Sequence, residues 1–423
     1  MSYLDRAREL RPRVAAAADQ IDRERRIPEP LVDALHDAGF FRLLLPRSFD
    51  GGELDPVTFT LVIEEIARGD ASTAWVLCQT AGCSMTAAYV PPDVARDIFG
   101  DRRAVMAWGP GPGSRAVVAD GGYRVTGTWS FASGGRHATW FGGYCPIYEA
   151  DGAPRRRPDG SHESRTMLFP ASRAQMTDVW RVIGLRGTAS DSYSVSDLFV
   201  PKAYSMARDD ASERRQPGAL YCFPIVNLFA SGFAGVALAI ARACLDDFVA
   251  LARDKTPRGM SRTLRESAAV QGQVGQCEAR LRSSRMLLLQ SLETIWRDVG
   301  SQGVLSLDQR VTIRMAATNA TGWWDRGVPE QRVRAAVPRH ARGDAATPGA
   351  PGPFRDGRSA HPGAGAGLDV AVGAIGADRS APVHDRLQVY RAAILCQVEF
   401  ETSDVWTCGV PSATFATDFS TSG

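Results

Sequence analysis

"GTWSFASGGRHATW", residues 127–140, decides how the chain is read. Trp129 and Phe131 alternate with small residues, Ser133, Gly134 and Gly135 follow, and His137 and Trp140 close the stretch. Apolar residues at a period of two mark a strand, and the Ser-Gly-Gly group marks its turn. Ordinary strand packing accepts almost any β-branched residue at such positions, so these choices call for a reason. The plain readings stay open here. Trp129 and Phe131 share one face of a strand and, taken alone, read as core. Ser133 to Gly135 read as a turn, and His137 as a hydrogen-bonded structural histidine. A pKa near 6.5 suits His137 equally to proton handling.

Outward from that stretch, short β-rich runs separated by Gly, Pro and Asp turns extend over residues 103–212: "AVMAWG", "AVVA", "YRVTGTWSF", "TWFGGYCPIY", "RTMLFP" and "YSVSDLFVP". They predict an antiparallel β domain, with 149–164 as an exposed hairpin loop. Residues 1–102 carry the helical period instead. Leu4, Ala7, Leu10, Val14 and Ile21 make one apolar stripe, Pro28 opens a second helix, and Phe59, Val62, Ile63 and Ile66 mark a third. Asp70 caps a fourth, expected from about Ser72 to Val90 and carrying Trp75, Cys78, Cys83 and Met85. Helix returns near Val226, and long amphipathic segments without strand signal predict a bundle over 213–321. The fold class is therefore α+β: an N-terminal helical domain, a central antiparallel β domain and a C-terminal helical bundle.

Composition narrows the function. Of 423 residues, 44% are hydrophobic and 23% charged, ordinary for a globular chain. A net charge of +2, with arginines spread along the sequence, gives no footprint for nucleic acid. The amphipathic N-terminus has no apolar signal segment, and no run is expected to approach the roughly 20 apolar residues of a membrane span. The eight cysteines form no CxxC pair, so neither a disulfide framework nor a metal site is expected, and reduced thiols in cytoplasm are the plain reading. "AWGPGPGS", residues 107–114, lacks the Lys and Ser/Thr of a phosphate loop and reads as a backbone bend.

The α, β, α order resembles the acyl-CoA dehydrogenase superfamily over about residues 5–320. "GLRGTASDSYSVSDLFVP" (184–201) is similar to the segment that closes its β domain beside the flavin. "ALAIARACLDDFVALARDKTPRG" (237–259) and "VQGQVGQCEARLRSSR" (270–285) are similar to the first two helices of its bundle. Where dehydrogenases read W-[IV]-[TS]-[NS]-G, this chain has W-x-F-x-S-G-x-x-H-x-x-W, which resembles the flavin-dependent monooxygenase branch, with enzymes oxidising indole-3-acetate nearest. The resemblance implies an oxygenase component that takes reduced flavin, FAD or FMN, from a separate reductase and uses O₂ on a small aromatic or indolic acid. It implies a homotetramer. Under it Trp129 and Phe131 wall the flavin, and Ser133 donates to flavin N5 or to a bound peroxide. Gly134 lets backbone approach the ring, His137 orients or moves a proton, and Thr188 and Ser190 reach the cofactor or else cap their turn. Trp75, Cys78 and Trp108 shape the substrate pocket or else simply pack. The 107–114 bend passes backbone over the flavin. An acyl-CoA dehydrogenase is the alternative.

From Gly322 to His384 the only Leu, Ile, Met, Phe or Tyr residues are Phe354, Leu368 and Ile375. Such a segment cannot bury enough apolar surface to offset its ordering entropy. Two explanations stand: a natural disordered tail, or a frameshift. Read one base later, the codons of 337–348 permit F-R-D-M-H-A-V-T-Q-Q-L, similar to the family's last helix, and two neighbouring stretches permit family-like sequence in the right order. Residues 322–423 are therefore expected to be irregular and out of frame. The lost segment packs the family's bundle and touches a neighbouring subunit's flavin, so an inactive product is a third reading. The shifted frame offers no glutamate where a dehydrogenase places its base, which disfavours α-proton abstraction.

Overall fold

The computed structural model describes residues 1–208, 210–257 and 261–322. The expectation of an out-of-frame tail lies outside the described residues, except for Gly322, which caps the last described helix.

Five helices come first: α1 (Tyr3–Glu24), α2 (Glu29–Asp37), α3 (Pro56–Ala67), α4 (Ala71–Ser84) and α5 (Pro92–Phe99). Ser2 caps α1 by accepting from the Asp5 amide, and Ala7, Val14 and Ile21 are its buried stripe. Asp70 caps α4 through the Thr73 amide, and burial pushes its carboxyl up to about 6. α4 stops before the expected Val90, because its last turn tightens into a 3₁₀ turn, Met85–Ala88. Every one of its fourteen residues is buried. A helix enclosed on all sides needs small residues where its neighbours cross. A Cβ on Gly82 would lie 2.1 Å from the Phe229 ring, and one on Gly232 would lie 2.3 Å from Cys78 Sγ.

Eight strands follow: β1 (Met106–Trp108), β2 (Arg115–Ala119), β3 (Gly122–Ala132), β4 (Trp140–Tyr148), β5 (Ser164–Pro170), β6 (Gln175–Thr177), β7 (Asp191–Pro201) and β8 (Ser205–Met206). They pair in the order β6-β7-β3-β2-β4-β5-β8, with β1 beside β4. Most pairs are antiparallel as expected, but β4 runs parallel to both β1 and β2. The 149–164 segment is largely exposed. Trp129, Phe141, Phe169 and Tyr193 fill the core of the sheet.

The last three described helices are α6 (Ile225–Asp254), α7 (Ala268–Gln302) and α8 (Leu307–Thr321). They share one hydrophobic core with the first five, and Trp108, Leu168 and Met206 of the sheet join it. α6 is long and apolar enough to cross a membrane, against expectation. However, 83% of its most apolar window is enclosed within the fold.

Candidate active site

A cavity of about 550 Å³ lies between the sheet and the late helices, within the roughly 300–1,000 Å³ of small-molecule sites. One wall is Trp108 at the end of β1, the loop 109–113, Tyr144 and Arg208. The loop is pinned to β3, since the Ser130 amide donates to the Pro110 carbonyl at 2.9 Å. A Cβ on Gly109 would lie 1.7 Å from the Ser130 carbonyl oxygen, so glycine is required there. Gly113 has φ +86° with open space beside it, which exposes backbone to the cavity.

The opposite wall comes from two helices. Phe229 and Phe233 stand one turn apart on α6, on one face, and their rings are nearly parallel with centroids 6.0 Å apart. On α8, Arg314, Ala317, Thr318 and Thr321 recur at helical spacing and face the same space. Three arginines, Arg115, Arg208 and Arg314, line the cavity, and no aspartate or glutamate is among its described lining residues. The Arg208 guanidinium lies over the rings of Trp108 at 4.8 Å and Tyr144 at 5.3 Å. Its buried Nε has no hydrogen-bond partner among the described residues. Burial holds the Arg314 guanidinium below its ordinary pKa, a sign that its charge is poorly solvated.

Four residues singled out from the sequence come together elsewhere. Ser133 Oγ and Ser190 Oγ are 2.7 Å apart, Ser190 Oγ and Thr188 Oγ1 are 2.7 Å apart, and Thr188 Oγ1 donates to the Leu185 carbonyl at 2.9 Å. The Gly134 amide donates to the Thr188 carbonyl at 3.0 Å, and Gly134 has φ +77°. Phe131, Leu185 and Ala189, flanking this chain of hydroxyls, hold φ of +59°, +53° and +45°. Such strain persists only where surrounding structure imposes it, and it collects at functional sites.

Other expectations are corrected. Trp129 and Phe131 do not share a face. The β3–β7 register shifts between Trp129 and Ala132, and the left-handed Phe131 breaks the alternation. Trp129 is 0% exposed and stacks on Tyr193 with centroids 5.3 Å apart, so it has no open face for a flavin, whereas Phe131 meets Trp180 edge-on. The Ser133 hydroxyl is engaged by Ser190 and does not line the cavity. Neither does His137, whose short 3₁₀ turn, Gly135–His137, follows Gly134. Burial first, and then Arg26 and Arg136, pull the His137 imidazole down to about 4, so it is neutral at pH 7. Of the pocket residues, Trp108 lines the cavity. Trp75 lies one layer behind, stacked on Phe233 at 4.3 Å, and Cys78 Sγ sits 4.0 Å from the Phe229 carbonyl oxygen.

Sequence reading missed Phe229, Phe233, Arg208 and Arg314. The two phenylalanines carried a signal, an i, i+4 aromatic pair, and Arg314 carried one as a cation on the Ala317 and Thr321 stripe. Arg208 carried none. Among the described residues no cluster of three His, Cys, Asp or Glu is placed to hold a metal.

A flavin ring is flat and apolar with a hydrogen-bonding rim. Trp108 and the Phe229–Phe233 pair supply apolar walls, the Gly113 backbone supplies open polar approach, and Thr318 and Thr321 supply hydroxyls. The residues present fit such a group, although they are not the ones expected from the strand motif.

The family comparison matches residues 3–92 to the acyl-CoA dehydrogenase N-terminal domain and residues 231–330 to the acyl-CoA dehydrogenase C-terminal domain. Indole-3-acetate monooxygenase of Pseudomonas putida is 28% identical over 332 residues, covering 77% of this chain and 79% of that protein. The oxygenase subunit HsaA, a flavin-dependent monooxygenase of Rhodococcus jostii, is 34% identical over 212 residues, covering 49% of this chain and 53% of that protein. Among solved structures, XiaF from a Streptomyces species, in complex with FADH2 and glycerol, superposes with a TM-score of 0.71 at 23% identity, covering 81% of this chain and 86% of that one. That likeness speaks for the fold.

Proposed function

From the premise that residues 3–92 and 231–330 match the acyl-CoA dehydrogenase N- and C-terminal domains, we propose that the chain is the oxygenase component of a two-component flavin-dependent monooxygenase. It oxygenates a small aromatic or indolic acid with reduced flavin, FAD or FMN, and O₂. The observation that carries this reading is the cavity itself, aromatic on two walls, cationic, and without a carboxylate among its described lining residues. The relatives named as monooxygenases support it. The dehydrogenase alternative requires a base to take an α-proton, and no described lining residue is an acid.

Bound reduced flavin supplies the electrons for oxygen activation. Trp108 and the 109–113 loop would hold it on the sheet side, with Phe233, backed by Trp75, confining the substrate from the helix side. The Ser133–Ser190–Thr188 hydroxyls hold the end of β3 against the 185–190 turn and so position the strand to which the 109–113 loop is pinned. They act as positioning residues. The partners in this reading are a separate flavin reductase, an aromatic acid and further copies of the chain, in the cytoplasm. A homo-oligomer is supported by the exposed apolar stripe of Leu307, Val311 and Met315 on α8.

The test supplies reduced flavin from an NADH-dependent reductase and follows O₂ consumption and hydroxylated product with indole-3-acetate. Consumption coupled to product is expected. Anaerobic reduction of bound flavin by an acyl-CoA, with no aromatic product, overturns the reading.

A further inference from the structure

We propose that Arg208 and Arg314 form a pair that reads a carboxylate, so that this cavity selects aromatic acids over their uncharged analogues. The inference rests on the aromatic-substrate reading above and assigns the residues that set its substrate class.

Arginine is seldom buried without a partner, because removing an unpaired charge from water is costly. Arg208 and Arg314, both half-buried, line the cavity, and the buried Nε of Arg208 has no hydrogen-bond partner among the described residues. The described lining residues include no acid to neutralise them. Arg208 uses the face of its guanidinium on Trp108 and Tyr144, which leaves its N–H edge for a two-pronged contact with a carboxylate. Arg314 reaches the same space from the opposite side, on the α8 face that also carries Thr318 and Thr321. Phe229 and Phe233 lie on the helix side as well. A flat apolar body with one anionic group matches this distribution, and a neutral aromatic would leave both cations unanswered. Arg115 is exposed at the rim and adds only long-range attraction.

The test is equilibrium binding to the full chain, read by quenching of tryptophan fluorescence, with indole-3-acetate and the uncharged indole-3-acetamide as probes. The wild-type chain should bind the acid roughly tenfold or more tightly than the amide. Arg208→Met and Arg314→Met should each erase most of that preference by weakening the acid, with amide affinity within about threefold, as loss of a hydrogen bond to a charged group implies. If the methionine variants melt early, Arg208→Lys and Arg314→Lys keep the charge and should retain part of the preference. FMN and FAD titrations separate the other anion source. If the variants lose flavin affinity while the acid-to-amide ratio stays intact, the arginines hold a flavin phosphate and the proposal fails. Equal wild-type affinity for acid and amide also overturns the pair. Oxygen consumption with the amide would in that case still uphold the oxygenase reading, so the two failures are distinguishable.

Discussion

His137 shows how burial redirects a residue's chemistry. Its ordinary pKa would place a proton switch near neutrality, but enclosure beside Arg26 and Arg136 holds it at about 4. His36, stacked on Phe41, is held at about 4 for the same first reason, burial. The folded chain therefore refuses protons that the unfolded chain accepts below about pH 6.5. Stability is full above that value and is lost as pH falls toward 4. A shift of this size is worth on the order of 3 kcal/mol for a well-buried imidazole. Asp70 acts in the opposite direction. Its carboxyl is raised to about 6, so its contribution is present at low pH and is lost as pH rises through 6. Two histidines against one carboxyl predict a net fall in melting temperature between pH 7 and pH 5. His137→Gln should flatten that slope. A melting temperature that rises over the same interval would contradict the account.

The α4–α6 crossing carries the cavity's helix wall, and it depends on two glycines. A methyl group at residue 82 must displace Phe229, because the clash distance is 2.1 Å. Gly82→Ala is expected to cost about 1–3 kcal/mol by overpacking and to weaken aromatic-ligand binding as well, since Phe229 lines the cavity. Calorimetry and ligand titration check the two effects together, and a stable variant with unchanged binding would contradict it. This is also the scale at which the sequence was most legible. Asp70, Pro28 and the β-rich runs each announce an element through local chemistry: a cap, a fixed φ, a period of two. The Phe131 bulge was not legible, because its +59° φ comes from register with β7 and not from residue 131 itself. That shift turned Phe131 away from the face of Trp129, while Trp129 itself was enclosed by its stacking on Tyr193. Arg208 and Arg314 stayed hidden for a related reason. What sets them apart is a cavity with no acid among its described lining residues, which emerges only when distant segments meet.

At the scale of the molecule, Leu307 is 68% and Met315 60% exposed on one face of α8, two turns apart. Met286 on α7 is 69% exposed and Val304, just before α8, is 57% exposed. We propose that this apolar exposure on neighbouring elements serves association between copies of the chain. The full chain should sediment as an oligomer, and the double variant Leu307→Glu with Met315→Glu should shift it toward monomer. A wild-type monomer at micromolar concentration would contradict this. Another consequence follows from the core shared by the first five and last three helices. α4, buried on every side, ends at Ser84, while α6, which covers it, ends at Asp254. During synthesis at roughly 5–20 residues per second, α4 leaves the ribosome on the order of ten to thirty seconds before its cover exists. The nascent chain therefore carries α4 uncovered over that interval, and stalling translation before α6 should leave it insoluble.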